Sequence, residues 1–343
     1  TQSLKEKINI MRKLASIQRI KNIEPIEGAE AIEKATVLGW QLVIRKSEFK
    51  IGDLCVYIEI DSVLPNMPEF EVIRSKTNRI KTIKLRGQIS QGICFPLDIL
   101  PKDVDLLEDM DVTELLGITK FEPPIPANLA GEIKGLFPSF MPKTDETRVQ
   151  VLEGLLQNYE GTSCYITEKL DGSSVTFYLK DNEFGVCSRN LDLLYNESNS
   201  MWKFAIENDL ENKLKSLNIN IALQGEIIGE GIQKNKYKQR GQTVYFFNVF
   251  DIDSYNYFSL NEVKTLLKGL ELNMVPVLDE SYLLESSVES VILKSQVRSV
   301  LSKDTIAEGI VIRPVEEKID KNIMQGRISF KAINPNFLIK YDE

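Results

Sequence analysis

The sequence predicts an α+β protein in two parts, an N-terminal β-barrel of the OB type followed by a domain of strands with intervening helices. Three observations carry this. Short apolar runs separated by turn signals fill the chain from about Leu14 to Leu100. A proline cluster, Phe121-Glu-Pro-Pro-Ile-Pro-Ala127, then interrupts it. Beyond the prolines, strongly apolar strand candidates alternate with amphipathic helix candidates. With 343 residues there is enough chain for two cores. The expected division is 1–120 for the barrel, 121–142 for an irregular linker, and 143–343 for the second domain.

In the first part, Ala35-Thr-Val-Leu38 and Trp40-Gln-Leu-Val-Ile44 flank Gly39, and Leu54-Cys-Val-Tyr-Ile-Glu-Ile60 follows a turn at Gly52-Asp53. Arg74, Lys76, Arg79, Lys81, Lys84 and Arg86 form a basic strip with no acidic residue between them. Ile83 and Leu85 alternate with Lys84 and Arg86, which gives a strand one cationic face. The strip contains no aromatic residue, so it suits contact with a nucleic-acid backbone rather than base stacking. A solvated basic face is the plain alternative.

Composition narrows the chemistry. The chain has no histidine. That excludes Ser-His and Cys-His nucleophile pairs, histidine general bases and imidazole-ligated zinc. The net charge of −8 argues against indiscriminate nucleic-acid binding, although a local basic strip still attracts phosphates. Cys55, Cys94, Cys164 and Cys187 are widely spaced, which fits a reducing intracellular compartment, cytoplasmic or nuclear. No apolar run reaches the roughly 18 residues of a membrane span, and Thr1-Gln-Ser-Leu-Lys-Glu-Lys7 lacks the apolar region of a leader.

In the second part, Lys143 to Gln150 reads as the start of a helix, capped by Thr144 or Asp145, with Val149, Leu152, Leu155 and Leu156 on its apolar face. Arg148 then sits in the first turn, where the helix dipole favours a negative residue, so it is either ion-paired or placed for an anion. Met201 to Leu217 reads as one amphipathic helix, and further helical stretches run from Asn261 and from Ser287. Strands are expected at Ile221–Gly229, at Val244–Ile252, at Ala307–Pro314 and at Arg327–Ile333, the last with Arg327, Ser329 and Lys331 on one face.

The centre of the chain is Tyr165-Ile-Thr-Glu-Lys-Leu-Asp-Gly-Ser-Ser-Val-Thr-Phe-Tyr178, a strand, a tight turn and a second strand. Lys169 stands just before the turn. It is either a solvated cation at a strand end or a nucleophile. A lysine attacks only as the neutral amine, and its ordinary pKa of about 10.4 keeps it charged at neutral pH. A divalent ion nearby lowers that value. Glu226 and Glu308 each lie against strongly apolar sequence, where an ionised carboxylate needs a cation or donors unless it reaches solvent. With Asp171, Lys169, Arg313 and Lys331 they describe a groove of both charge signs, suited to a metal–triphosphate ligand.

These residues resemble the motifs of the covalent nucleotidyltransferases, the family of polynucleotide ligases and mRNA capping enzymes. In order they are Lys169-Leu-Asp-Gly172, Ser188-Arg-Asn190, Gly225-Glu-Ile-Ile-Gly229, Phe247-Asn-Val-Phe-Asp251, Glu308-Gly-Ile-Val-Ile-Arg313 and Ser329-Phe-Lys331. The resemblance covers about Lys143 to the C-terminus and implies an adenylyltransferase domain, ATP-grasp-like, of antiparallel sheets flanked by helices. Within that family the chain is most similar to ATP-dependent RNA ligases of the fifth group, which carry an OB domain ahead of the transferase. Thr144-Asp-Glu-Thr-Arg-Val-Gln150 and the closing Ala332-Ile-Asn-Pro-Asn-Phe-Leu-Ile-Lys-Tyr341 support that group. One departure is at the fifth motif, which often has two lysines spaced Lys-x-Lys, whereas here Lys331 is flanked at that spacing by Ser329 and Ile333. Arg327 is the candidate to supply the second cation.

The resemblance implies a lysyl–AMP on Lys169 formed from ATP, transfer of AMP to an RNA 5′-phosphate, and sealing by an RNA 3′-hydroxyl in repair. It also implies two divalent ions, magnesium or manganese, with Asp171 and Glu308 holding one of them through waters. Arg148 would orient pyrophosphate, Glu168 would lie at the adenine edge, Glu226 would meet the ribose, and Arg189 the nucleotide or RNA end. Arg313 and Lys331 would contact phosphates. Phe250 would stack on adenine, because strand alternation puts Phe247 on the opposite face. Lys81, Lys84 and Arg86 would contact RNA, and the chain would act as a monomer. A capping guanylyltransferase and a catalytically silent RNA-binding protein of the same fold are the alternatives.

Overall fold

The computed structural model describes residues 12–103 and 106–342. The opening Thr1–Lys7 stretch read for a leader lies outside the described residues. Among the described residues no helix is long and apolar enough to cross a membrane.

The first domain is a five-stranded antiparallel sheet in the order Trp40–Arg45, Ile32–Val37, Ala15–Pro25, Leu54–Ile58, Ile93–Phe95. The long strand Ala15–Pro25 shifts register between Ile20 and Asn22, a bulge that lets it pair to both sides and curl into the half-barrel of an OB fold. Its core is Ile17, Ile20, Val37, Trp40, Leu42, Val56 and Phe70. The basic strip ends in a hairpin of Thr82–Leu85 with Gln88–Gln91. Arg86 and Gly87 turn it with φ of 50° and 84°, as a two-residue hairpin loop of the primed kind demands.

The second domain has two sheets. A seven-stranded antiparallel sheet runs Ile133–Leu136, Leu191–Leu193, Glu183–Ser188, Ser173–Lys180, Ile221–Gly229, Gln242–Asp251, Asn256–Tyr257. A five-stranded sheet runs Thr147–Arg148, Phe330–Ile333, Gly309–Pro314, Ser163–Lys169, Val277–Leu283. The helices Ser200–Glu207, Leu210–Lys215 and Leu260–Gly269 cover the outer face of the larger sheet through Trp202, Phe204, Leu210, Leu214, Val263 and Leu267. The third begins with a capping box in which the Ser259 N–H donates to Glu262 Oε2 at 2.7 Å. The helix Val288–Lys294 packs on the smaller sheet. The C-terminal helix Pro335–Tyr341 leaves the second domain and inserts Phe337 and Leu338 into the core of the first.

Three local expectations are corrected. Residues 143–148 do not start a helix, and a single 3-10 turn at Val149–Val151 precedes the α-helix. Thr147 and Arg148 form a short parallel strand on Phe330 and Lys331, and the helix begins only at Glu153. The side chains ahead of it are held by tertiary partners instead, Thr144 by Ser174, Asp145 by Arg189 and Glu146 by Arg313. Nor is 121–142 wholly linker. Ile133–Leu136 is an edge strand of the larger sheet, and Leu129, Phe137 and Met141 lie in the second domain's cores. The prolines account only for the first part of that stretch. The long helix expected at 201–217 is two helices, broken where Asp209 takes φ of 52°.

Candidate active site

The strand Ser163–Lys169 belongs to the smaller sheet and Ser173–Lys180 to the larger. Leu170-Asp171-Gly172 therefore crosses from one sheet to the other, and Lys169 and Asp171 stand where the two meet. Gly172 makes the crossing possible, since a Cβ there would lie 2.3 Å from the Ile227 carbonyl oxygen and 2.7 Å from Ile228 Cγ2.

Strand pairing brings the remaining groups to that point. Lys169 pairs with Gly309, which places Glu308 beside it. The Lys169 ammonium lies 2.7 Å from each Glu308 carboxylate oxygen. Val311 pairs with Lys331, and Lys331 with Arg148, so Lys169, Lys331 and Arg148 lie across one face. From the larger sheet, Glu226 comes in opposite Ser174 and accepts from the Gly172 N–H at 3.2 Å. Asp171 pairs with Lys236.

The electrostatics follow from burial in a cluster of mixed sign. Burial lowers the Lys169 pKa, but Glu308 and Glu226 outweigh it and hold the amine above the ordinary lysine range. Burial pushes the Glu226 carboxyl up to about 8; Glu308 and Asp171 add to this, and Lys169 opposes it. Lys331 is pushed down to about 7 by burial and by the cations of Arg148, Lys169 and Arg12, with Glu308 pulling the other way. Arg148 donates to Asp61 Oδ2 at 3.0 Å, across from the first domain, and its buried Nε and Nη1 have no partner. Burial pushes the Asp61 carboxyl up, but Arg148, Arg79 and Arg12 hold it at about 2.

Other expected residues fall into place or out of it. Arg189 is held by Asp145 at 3.1 Å near the groove. Glu168 is buried; one oxygen accepts from the Val300 N–H at 2.9 Å and the other has no partner, which leaves an acceptor for a ligand donor. Arg313, expected at a phosphate, is instead enclosed. It donates to Ser329 at 2.8 Å and to Glu146 at 2.9 Å, with its side chain 2% exposed. Arg327 does not reach the groove as a second phosphate cation. It pairs with Glu317, donates to Asn248 at 2.8 Å and lies over the Tyr257 ring.

Phe250 is corrected. Gly225 pairs with Phe246 but Gln224 with Asn248, so Phe247 is the extra residue of a bulge and simple alternation fails there. Phe250 is buried with Phe137, Met141 and Tyr178 in a separate cluster. Phe247 is half-buried beside Leu170 and Tyr237, with Arg313 5.9 Å from its ring. In the hairpin, Lys84 and Arg86 are exposed, and so are Ile83 and Leu85 at 47% and 40%. Lys81 is tied to Asp342 at 2.7 Å.

Sequence reasoning missed Asp61, Lys236 and Tyr237. The Tyr237 hydroxyl accepts from the Asp171 N–H at 2.7 Å. None of the three lies in an apolar run or a motif, so only their place in space marks them.

Among the described residues no three acidic side chains converge as direct metal ligands. Asp171 and Glu308 each already receive a lysine ammonium, and the Glu226 carboxyl is raised in part by the negative charge around it. That set fits a hydrated divalent ion held through water and phosphate oxygens better than an all-protein cage.

Comparison with known proteins agrees with this geometry. The RNA ligase family matches residues 162–333, and an OB-fold domain family matches residues 14–97. No curated protein matches the chain. The solved Naegleria gruberi RNA ligase with PPi is 41% identical, covering 97% of this chain and 99% of that one at a TM-score of 0.88. A glutamate-to-alanine mutant of the same ligase with ATP and Mn is 42% identical, covering 97% and 100% at 0.89. Another glutamate-to-alanine mutant, with AMP and Mn, is 42% identical over 95% and 98% at 0.87. This protein belongs to the RNA ligase family, with an OB-fold domain ahead of its ligase domain.

Proposed function

We propose that the protein joins RNA 3′-hydroxyl and 5′-phosphate ends at the expense of ATP, through a lysyl–AMP on Lys169 and an RNA-adenylate, in RNA repair. The observation that carries this reading is the Lys169–Glu308 contact of 2.7 Å at the crossing between two sheets, with Glu226 and Asp171 beside it. The Naegleria gruberi ligase, similar over nearly its full length, has been solved with ATP and Mn, with AMP and Mn, and with PPi.

In the first transfer the neutral Lys169 amine attacks the ATP α-phosphorus. The bond to the bridging oxygen breaks, pyrophosphate leaves, and the nitrogen loses a proton to become a phosphoramidate. An RNA 5′-phosphate oxygen then displaces Lys169, and finally an RNA 3′-hydroxyl displaces AMP. All three are in-line displacements in which positioning and charge neutralisation do most of the catalysis. A divalent ion, magnesium or manganese, supplies charge that lowers the Lys169 pKa and balances the α-phosphate. Asp171 and Glu308 would hold it through waters, and a second ion would accompany the β- and γ-phosphates.

Arg148, anchored by Asp61, turns its unpartnered nitrogens to the pyrophosphate. Lys331 meets a phosphate, Glu226 the ribose and Arg189 the RNA end. Glu168 accepts from the adenine edge, and Phe247 takes the stacking role that Phe250 cannot. Lys81, Lys84 and Arg86 contact the RNA backbone. The four buried cysteines form no disulfide, even Cys55 and Cys94 whose sulfurs lie 3.3 Å apart, which supports a reducing intracellular setting. One chain brings all these groups together, which supports a monomer.

The test is transfer of label from [α-32P]ATP to protein. Wild type is expected to be labelled with ATP and not GTP, and only with a divalent ion. Lys169→Ala is expected to take up none while still sealing an already adenylylated RNA. Labelling of Lys169→Ala, or labelling in excess chelator, overturns the reading. Labelling by GTP alone makes the protein a guanylyltransferase, and RNA binding without any label makes it a silent member of the family.

A further inference from the structure

The loop between Ile221–Gly229 and Gln242–Asp251 reaches onto the sheet crossing. Gln233, Lys234, Asn235 and Lys238 take φ of 42°, 58°, 45° and 56°, strained values for residues with side chains. The loop places Lys236 against Asp171, the two side chains being 5% and 9% exposed. The same ammonium lies 4.7 Å from the centre of the Phe337 ring and 4.6 Å from that of Tyr341, both on the C-terminal helix. The Lys236 carbonyl is fixed in turn by the Thr305 hydroxyl at 2.8 Å. Among the described residues the charge is held both by a carboxylate and by a pair of aromatic rings.

We infer that Lys236 is a positioning residue that acts through Asp171, a resident counter-cation that shares this carboxylate with the divalent ion and sets how tightly the ion is taken up. The inference rests on the proposed reading that Asp171 faces such an ion. A buried carboxylate without a partner is costly, and Lys236 removes that cost in the metal-free protein. A divalent ion arriving at Asp171 meets the repulsion of the ammonium. The rings keep the ammonium in place when the carboxylate turns to the ion, so the repulsion persists. Removing the charge should then strengthen ion binding. A lysine that served only to pack the loop would, when removed, leave binding unchanged or weaken it by releasing Asp171.

The experiment measures equilibrium binding of Mn2+ to the ATP-free full chain, from the electron paramagnetic resonance signal of the free ion. Lys236→Met and Lys236→Gln are expected to bind at least about tenfold more tightly than wild type, as expected from loss of a nearby like charge. Lys236→Arg, which keeps the charge between the rings, should stay within about threefold of wild type on the same grounds. Folded neutral variants that bind Mn2+ no tighter than wild type overturn the inference. If both neutral variants are unfolded without metal, recovery of their folded circular dichroism on Mn2+ titration supports it, because the ion then replaces the missing counter-charge. Failure to recover overturns it. A wild type that takes up no Mn2+ even with ATP present overturns the divalent-ion reading of the site, and this inference with it.

Discussion

The Lys169 ammonium is shared equally by the two oxygens of Glu308, 2.7 Å from each. This contact favours the protonated, unreactive form of the nucleophile. Because the folded pKa is raised, the pair's contribution to stability is full below the ordinary lysine pKa and is lost as pH rises through the folded value. Competitive acylation followed by mass spectrometry should find the Lys169 midpoint above that of an exposed lysine when chelator is present. Glu308→Gln should lower the chelator midpoint, and Mn2+ should lower it in wild type. A wild-type midpoint indifferent to Mn2+ would sink this account of nucleophile activation.

Glu226 titrates in the same sense as Lys169, in a lower range of pH. Its folded pKa of about 8 lies above the ordinary carboxyl value, so the folded state binds the proton more tightly and wild type loses stability as pH rises towards 8. In the metal-free protein Glu226→Gln should remove that loss. The variant is expected to be more stable than wild type at pH 8, by on the order of 1 kcal/mol or more, with the difference shrinking towards pH 5. Urea denaturation at both pH values in chelator measures it.

Phe247 and Phe250 separate binding from folding. Phe247→Ala should raise the KM for ATP in the adenylylation step by about tenfold or more, since a stacked base is worth about 1–3 kcal/mol, with little change in stability. Phe250→Ala should destabilise by about 3–5 kcal/mol through the cavity it leaves. Thermal melts and labelling kinetics on the two variants distinguish them, and a reversal of the two phenotypes would return the stacking role to Phe250.

The exposed hairpin supplies a fourth test. Replacing Lys84 and Arg86 by alanine should weaken RNA binding without regard to sequence. The dependence of log K on log salt should become shallower by about 1.4, the value for two phosphate contacts on a single strand. Adenylylation by ATP alone should be unaffected. An unchanged salt slope would show that RNA takes another path.

Much of the site was legible because its residues sit on strands whose pairing is fixed by apolar runs. Lys169, Glu226 and Glu308 each adjoin such a run, and the sheets carry them to one place. Phe247 was misplaced because a bulge changes which way a side chain points without leaving any mark in residue type. Arg148 was misread because Val149, Leu152, Leu155 and Leu156 fit a helical face, yet pairing with Lys331 draws the preceding residues into an extended strand. Asp61 and Lys236 act across long separations in the chain, Asp61 on Arg148 from another domain and Lys236 from a loop of unusual φ. No local pattern reports such contacts.

The helix Pro335–Tyr341 has a bearing on synthesis. Ile333, Phe337 and Leu338 pack into the core of the barrel, which is translated ahead of the ligase portion. That barrel stays unfinished on the ribosome until nearly the whole ligase portion has emerged, so the order of translation and the order of completion are reversed. Until that helix emerges, nascent protein would carry an apolar gap in the barrel, and closing that gap is the same event that delivers Phe337 and Tyr341 to Lys236.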